Sequence, residues 1–448
     1  MSASRLLFLA HRVPYPPNKG DKIRAFHALR VLKARGHAVH LLTFADDPAE
    51  RAVPDALRAL CASVTILPLD RRVANFKALA GVLGRQPLSL RFFSSRAMSG
   101  EVERAIATVN PDGIIIYSSS MAQYVPPSYW PRTVTDLVDI DSEKWRDYAE
   151  VSREPLASLY RLEWRRLRQY EQMIVRRGAA AVVTTFREAL LLDEPGMTFS
   201  TGIHVFVNGV DTQFFQPDPG GTPERTVPAG ERRFFEGPAR PRLVFTGAMD
   251  YRANVDAVCY FAAEVFPRIR ARRPDAEFLI VGSKPSRAVK QLESIDGIRV
   301  TGFVDDVRPY LRSAAVCVVP LRVARGIQNK LLEAMACGCA VVATPQAAAA
   351  FADISERELL VRSEPADFAS AVVELIEHDS RRRDLGAAAR QYVAARHNWD
   401  RSFGSFVDLV ESSISSAGGR TTPHFETARG VSGPPLERRT QTGLAQEG

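Results

Sequence analysis

Short apolar runs alternate with amphipathic stretches from the first residues of the chain onward. Arg5–Ala10 (RLLFLA) predicts a buried strand, and the spacing of apolar positions over Asp21–Arg35 predicts a helix that ends at Gly36 as a left-handed cap. Strands separated by helical segments indicate βαβ units and a parallel sheet with helices on both faces. The further strands predicted in this half are Ala38–Phe44, Val64–Leu69, Gly113–Tyr117, Thr133–Asp139, Ala180–Thr185 and Ile203–Val207.

A second series of strands follows a segment rich in proline and glycine. Pro217–Pro241 has a Pro/Gly density that neither helix nor strand tolerates, so we predict a linker at residues 217–241. The pattern therefore predicts an α/β protein with two tandem Rossmann-like, doubly wound parallel-sheet domains, residues 1–216 and 242–396. The strands predicted for the second domain are Arg242–Gly247, Glu277–Gly282, Ile298–Phe303, Val316–Leu321 and Ala340–Thr344.

The composition of the chain supports a globular fold for all but its last residues. Apolar residues make up 46% and charged residues 25% of the sequence, which is enough to build large cores. Residues 415–448 are rich in Ser, Gly, Thr, Arg and Pro without apolar periodicity, so a disordered tail is predicted there. The apolar run Leu6–Ala10 is shorter than a signal peptide or a spanning helix requires, and we expect a cytoplasmic protein.

The charge of the chain favours an anionic partner. The formal net charge is +8, which suits a nucleotide, a phospholipid surface or nucleic acid. Nucleic-acid binding would require basic clusters with interleaved aromatics, whereas most basic residues here are scattered among acids, as in Arg161–Arg168. We therefore expect no nucleic-acid partner, while a peripheral contact with an anionic membrane stays open.

The strongest chemical motif is Ala324–Ala343, ARGIQNKLLEAMACGCAVVA. At 100° per residue, Gly326, Lys330 and Glu333 fall on one side of a helix that we expect Gly326 to open. The amide groups of a helix N-terminus favour a diphosphate, an ammonium group neutralises phosphate charge, and a carboxylate suits the two hydroxyls of a ribose. The plain alternative is a surface salt bridge at i, i+3, worth about 0.3 kcal/mol.

The segment LLEAMACGCAVVAT resembles the donor-binding signature of the retaining GT-B-type glycosyltransferases related to sucrose and glycogen synthases, the glycosyl transferases group 1. The resemblance spans about residues 5–410, with RGHAVHLLTF, VNGVDTQFF and VTGFVDDVRPYLRSA in the family's order. His11–Ala25 (HRVPYPPNKGDKIRA) and Asp136–Trp145 (DLVDIDSEKW) further resemble the subgroup associated with exosortase and exopolysaccharide gene clusters.

The resemblance implies a GT-B architecture in which a nucleotide-sugar donor binds between the two domains, without a metal or other cofactor. It implies transfer with retention to a glycan or lipid-linked acceptor, and a helix at residues 397–414 that packs back on the N-terminal domain. Lys330 would contact the diphosphate, Glu333 the donor ribose, and the backbone of Phe303–Val304 the base. The remaining donor contacts would come from Gly247, Arg252, Arg325, Gly326 and Ile327.

Two departures from the family pattern bear on the donor site. The family carries a Glu eight residues before Glu333, where this chain has Arg325, and an Arg/Lys pair after the first strand of the C-terminal domain, where this chain offers Arg252 alone. We therefore expect Lys330, assisted by Arg325, to take more of the phosphate charge. Asp139 ends the strand where many relatives have a catalytic-site His, and we assign it to that place with Asp141 close behind.

The N-terminal glycine loop and the Asp-Ile-Asp tripeptide each admit two interpretations. Lys19, Gly20, Asp21, Lys22 and Arg24 gather at the carboxyl edge of the predicted sheet, where ligands bind open α/β sheets, and we assign them to acceptor binding; a solvated basic turn is an equal alternative. Residues 139–141 also match the D-x-D metal motif of the other major glycosyltransferase fold, but a metal-free mechanism is expected.

Two other functions remain open at this point. A nucleotide-sugar 2-epimerase shares the two-domain plan and would yield product from the donor alone. A non-catalytic sugar- or nucleic-acid-binding protein is compatible with Arg325 in place of the first Glu and with the net charge of +8. Of these functions, retaining glycosyl transfer agrees with most of the motifs.

Overall fold

The computed structural model describes residues 3–17, 20–192, 202–217, 228–236, 240–324, 326–351 and 353–418. Within these residues the strands form two sheets, and all strand pairs within each sheet are parallel. The first sheet has seven strands and the second has six. The expected doubly wound α/β plan is confirmed.

The first sheet is covered on both faces. Alternate residues of the first strand face opposite sides: Leu6, Phe8 and Ala10 pack in one apolar cluster, while Leu7 and Leu9 pack in another. The strands of this sheet are β1 Arg5–Ala10, β2 Ala38–Ala45, β3 Ser63–Pro68, β4 Gly113–Tyr117, β5 Thr133–Val138, β6 Ala180–Val183 and β7 Ile203–Val205. They lie side by side in the order β3-β2-β1-β4-β5-β6-β7. The helices of this half are α1 Gly20–Ala34, α2 Asp55–Leu60, α3 Arg71–Ala80, α4 Leu88–Phe92, α5 Arg96–Val109, α6 Asp141–Val151, α7 Leu156–Arg177 and α8 Phe186–Leu192.

The second sheet is enclosed in a single large core of buried apolar residues. Its strands are nearly continuous apolar runs, as expected for parallel strands covered on both faces. They are β8 Arg242–Thr246, β9 Glu277–Val281, β10 Ile298–Gly302, β11 Val316–Val319, β12 Val341–Ala343 and β13 Leu360–Val361. They lie side by side in the order β10-β9-β8-β11-β12-β13. The helices are α9 Arg252–Tyr260, α10 Phe266–Arg272, α11 Arg287–Gln291, α12 Arg308–Arg312, α13 Asn329–Ala336, α14 Pro345–Ala348, α15 Pro365–Glu377, α16 Asp379–Arg396 and α17 Trp399–Gly418.

The last helix, α17, packs on the N-terminal half. Trp399, Phe403 and Phe406 lie in the same apolar cluster as β1 and α1. The apolar face of the helix continues to Ile414, and the helix itself runs to Gly418, beyond residue 415 at which we expected a disordered tail to begin. The rest of the predicted tail lies outside the described residues.

The chain crosses between the two halves twice, and the crossings lie side by side. The amide of Val210 donates to the carbonyl of His397 at 2.8 Å, and the ring of His397 contacts the carbonyl of Asn208 at 3.0 Å. A Cβ on Gly209 would lie 2.6 Å from the amide nitrogen of Trp399, so only glycine allows this approach.

The predicted linker at residues 217–241 differs from what the structure shows in its described part. Ala229–Phe234 forms a 3₁₀ turn, and both Phe234 and Phe235 are buried in the C-terminal core. The aromatic pair therefore ties this piece to the second domain despite its proline- and glycine-rich surroundings.

None of the helices in the described part of the chain is both long enough and apolar enough to span a lipid bilayer.

Candidate functional site

The donor motif forms a loop and a helix after β11. Gly326 has φ +59°, a left-handed conformation that a helix interior does not allow, and α13 begins only at Asn329. The expectation that Gly326 opens the helix is therefore wrong, since the glycine bends the loop three residues earlier. Among the described residues no side chain caps α13, and an uncapped helix N-terminus can bind an anion.

Gly326 touches the N-terminal domain. A Cβ at this position would lie 2.7 Å from Oδ1 of Asp139 and 3.5 Å from Oγ1 of Thr184. A Cβ on Gly20 would similarly lie 3.3 Å from the side-chain nitrogen of Asn329. The loop before α13 and its first residue thus form one wall of a groove whose opposite wall is the carboxyl edge of the first sheet.

Lys330 is held toward the loop that follows β8. Its Nζ donates to Oδ1 of Asn254 at 2.5 Å and lies 4.6 Å from the centre of the Phe245 ring. A Cβ on Gly247 would lie 2.6 Å from the side-chain nitrogen of Asn254 and 3.4 Å from Lys330 Nζ. The glycine therefore lets the loop backbone approach the ammonium group, as a phosphate-binding loop requires.

Lys330 and Glu333 lie three residues apart on α13, and both side chains are half-buried. Burial lowers the pKa of Lys330 to about 7, although the neighbouring Glu333 opposes this shift. Burial raises the pKa of Glu333 to about 7, against the pull of Lys330. An anion beside Lys330 would restore its charge, so the pair is prepared for a negatively charged ligand.

The opposite wall carries Asp139, which remains accessible to solvent in the groove. It follows Val138, whose φ of +65° is unusual for a β-branched residue and turns the chain at the end of β5. Partial desolvation of the carboxyl beside the Gly326 loop, the charges of Glu188 and Asp141, and a hydrogen bond with Glu188 together raise the pKa of Asp139. Glu188 is itself buried and accepts from Oγ1 of Thr184 at 2.7 Å.

A second group of charges surrounds Asp21 in the N-terminal loop. Although burial opposes the shift, a hydrogen bond with His11 and the charges of His11 and Arg12 lower the pKa of Asp21. Nη1 of Arg12 donates to Asp21 at 3.0 Å. Burial raises the pKa of Asp141 even though His11 and Arg12 also act on it, which places Asp141 in the same group.

Two of the residues assigned to acceptor binding have structural roles instead. Arg24 is fully buried, where it donates to Asp136 at 2.8 Å, to the carbonyl of Phe206 at 2.8 Å and to Asn208 at 2.9 Å. Lys22 is 5% exposed and pairs with Glu50 at 2.6 Å. Both side chains are already engaged in ion pairs, a buried one for Arg24 and a partly buried one for Lys22, so neither is available to an acceptor. Gly20, Asp21 and Asp141 stay at the groove side of the sheet.

The remaining donor residues take different positions. Phe303 is 68% exposed at the end of β10, while the side chains of Val304 and Ile327 are buried in the C-terminal core. The last two can therefore offer only backbone to a ligand. Arg252 is exposed on the first turn of α9. Lys19 and Arg325 lie outside the described residues.

Sequence reasoning missed Asn254, Glu188 and His11. Glu188 could have been found from Thr-Thr-Phe-Arg-Glu at residues 184–188, a capping-box pattern in which the Oγ1 of Thr185 accepts from the amide of Glu188. Asn254 and His11 show no sequence signal of this kind. Within the described residues, no cluster of three or more His, Cys, Asp or Glu side chains is arranged to hold a metal ion.

Two parallel-sheet α/β domains that face each other across such a groove define the GT-B class of folds. Sucrose-phosphate synthase from Thermosynechococcus elongatus superposes with a TM-score of 0.66 at 18% identity, covering 92% of this chain and 100% of that one. This likeness establishes the fold. Residues 240–378, which make up most of the C-terminal half, match the family described as Glycosyl transferases group 1.

Two curated relatives match this chain over part of their length. A D-inositol 3-phosphate glycosyltransferase 2 from Catenulispora acidiphila is 29% identical over 215 residues, covering 44% of this chain and 50% of the relative. A GDP-mannose-dependent alpha-(1-6)-phosphatidylinositol monomannoside mannosyltransferase from Mycobacterium tuberculosis is 26% identical over 264 residues, covering 55% and 66%. The chain thus spans between half and two thirds of the length of these two relatives.

Proposed function

We propose that this protein is a retaining, metal-independent glycosyltransferase that moves a sugar from a nucleoside-diphosphate donor to an acceptor held in the groove. The observation that carries the proposal is the placement of Lys330. Its ammonium group lies beside the uncapped N-terminus of α13 and the Gly247 loop, and the preceding residues contact the N-terminal domain. A group 1 domain and relatives named as glycosyltransferases support the same function.

The donor would lie along the C-terminal wall. The diphosphate would accept hydrogen bonds from Lys330 and from the first-turn amides of α13, and the ribose hydroxyls would donate to Glu333. The exposed ring of Phe303 and the adjacent backbone would border the base. The transferred sugar would then project toward Asp139 on the opposite wall, because Gly326 brings that carboxyl next to the donor loop.

In the proposed reaction an acceptor hydroxyl attacks the anomeric carbon from the face that the diphosphate leaves. The new C–O bond forms as the bond between the anomeric carbon and the phosphate oxygen breaks, and a phosphate oxygen takes the hydroxyl proton. Lys330 and the helix amides would stabilise the charge that develops on the leaving group, and closure of the groove would exclude water. Catalysis in this reaction is therefore mainly electrostatic. It does not proceed by the double displacement of glycosidases, which uses a pair of carboxylates at the reacting carbon.

Two motifs and one relative support a biological setting for this activity. The motifs His11–Ala25 and Asp136–Trp145 favour exopolysaccharide or cell-surface glycan synthesis, in the cytoplasm or at the inner membrane face. The relative from Mycobacterium tuberculosis is named for a lipid acceptor, which supports a lipid-linked acceptor here.

Steady-state kinetics of matched variants test the assignment. UDP-glucose, UDP-N-acetylglucosamine and GDP-mannose are offered with phosphatidylinositol or alkyl glycosides, and release of the nucleoside diphosphate is followed. Lys330→Ala should lower kcat by about two decades or more, the loss typical of removing one transition-state donor. Glu333→Ala should mainly raise the donor KM, and Lys290→Ala, an exposed lysine at the end of α11, should change neither constant. Near-normal kinetics of both groove variants would overturn the assignment.

A further inference from the structure

Helix α3 and the turn after it carry an inverted apolar pattern. Small residues, Ala74 and Gly81, are buried against the protein, whereas large apolar residues face solvent. The outward residues follow helical spacing and are strongly exposed: Val73 at 50%, Phe76 at 72%, Leu79 at 68% and Leu83 at 99%. A solvated helix normally buries its large apolar side chains and exposes its small ones, so this surface calls for a covering partner.

The charge of the same segment is one-sided. Residues 71–100 contain no Asp or Glu, in contrast to the mixed charges of the rest of the chain. Their basic residues are Arg71, Arg72, Lys77, Arg85, Arg91 and Arg96. A large apolar face bordered by cations complements an anionic lipid surface, and it opposes contact with a second copy because two such faces would bring like charges together.

Two polar side chains of α7, Glu163 and Arg166, hold the backbone on either side of this surface. The carboxylate of Glu163 is fully buried and accepts from the amides of Leu88 and Ser89 at 2.5 and 2.9 Å. The guanidinium group of Arg166 donates to the carbonyl of Val82 at 3.1 Å and to that of Gly84. Because these contacts fix the turn, the exposure of Leu83 is built into the fold.

The surface also adjoins the acceptor side of the groove. Arg71, at the start of α3, lines a small pocket together with His11, Arg12, Phe92 and Phe93. His11 and Arg12 are the residues that contact Asp21 in the N-terminal loop. A molecule anchored at α3 would therefore reach the N-terminal wall of the groove.

We propose that residues 71–85 form a docking surface for an anionic membrane. Val73, Phe76, Leu79 and Leu83 enter the boundary between headgroups and acyl chains, and Arg72 and Arg85 contact lipid phosphates. This arrangement deepens the proposed function, on which its purpose rests, because it delivers a lipid-carried acceptor to the groove. The docking itself requires no sugar donor, so the two proposals can fail separately.

Sedimentation with sucrose-loaded vesicles tests the surface without any donor or acceptor. The full-length protein should bind vesicles of equimolar phosphatidylcholine and phosphatidylglycerol at least about tenfold more tightly than vesicles of phosphatidylcholine alone, and high salt should weaken the binding. The pair Phe76→Ser and Leu83→Ser should lose about tenfold or more of this affinity. Arg72→Gln and Arg85→Gln should each lose roughly fivefold.

Matched control variants test whether any exposed apolar or basic residue would give the same loss of binding. Ile295→Ser removes an exposed apolar residue of the other domain and Lys290→Gln an exposed cation, and both should bind vesicles as the wild type does. Circular dichroism and unchanged binding of UDP or GDP show that the α3 variants are folded. The proposal is overturned if the wild type ignores anionic vesicles, or if the Phe76 and Leu83 variants bind them normally. A dimer that these variants dissociate would assign the surface to a second copy instead.

Discussion

Replacing Gly326 by alanine should separate the two walls of the groove at a defined point. The new Cβ would lie 2.7 Å from Oδ1 of Asp139, whereas an unstrained contact needs about 3.5 Å, so the loop must withdraw by roughly 0.8 Å. The φ of +59° adds about 1–2 kcal/mol of backbone strain for any residue with a Cβ. Since a displacement of about 1 Å at a catalytic site can cost 100-fold in rate, turnover should fall by about that factor.

Two comparisons isolate the contact from the strain. Gly36→Ala introduces a Cβ at φ +88° with nothing within 4 Å, so it should cost the strain alone and leave binding of UDP or GDP unchanged. In an Asp139→Ala background, where the opposing oxygen is gone, Gly326→Ala should also cost the strain alone. Urea unfolding and calorimetric titration with UDP and GDP measure both effects, with an expected coupling of about 0.5–3 kcal/mol between the two positions. If Gly326→Ala costs no more than Gly36→Ala and shows no coupling to Asp139, the contact between the walls does not exist in solution.

Three further outcomes are expected. Because burial lowers the pKa of Lys330 to about 7, most of the free protein carries a neutral Lys330 at pH 8. Donor binding that restores the charge should then take up close to one proton, so the calorimetric heat of binding should depend on the buffer in the wild type and not in Lys330→Arg. A heat that is the same in every buffer for the wild type would contradict this protonation. Arg24→Leu should destabilise the protein by about 3–5 kcal/mol in urea unfolding because it leaves the Asp136 carboxylate buried without a counterion. Arg30→Leu, which removes a surface ion pair, should cost about 1 kcal/mol or less, and equal losses for the two variants would refute the structural role of Arg24. EDTA should leave transfer unchanged, and a loss of activity that Mg²⁺ restores would replace the metal-free mechanism with one that uses the ion.

Much of the fold could be predicted because parallel strands that are covered on both faces consist of short, nearly continuous apolar runs, which are visible in the sequence. The predicted strand ends extended one or two residues too far where a polar or glycine residue follows the run, as at Asp139, Thr184 and Gly247. These residues belong to the loops at the carboxyl edges of the sheets, where the groove lies. The two-residue strand Leu360–Val361 was missed because so short a run carries no period.

The candidate site could be predicted only where the signal is local. The spacing of Lys330 and Glu333 placed both on one face of α13, since three residues span nearly one helical turn. The start of that helix was misplaced because no local pattern reveals the left-handed φ of Gly326, whose neighbour Asp139 lies almost two hundred residues away in the chain. Arg24 was misassigned for a similar reason, since its partner Asp136 is distant in sequence and nothing near Arg24 indicates burial.

The most direct test of the central claim is a crystal structure with UDP or GDP bound. The diphosphate should lie about 3 Å from Nζ of Lys330 and from the first amides of α13, with the ribose hydroxyls on Glu333 and the base beside Phe303. A nucleotide bound elsewhere, or one in this groove that touches neither Lys330 nor Glu333, would contradict the account.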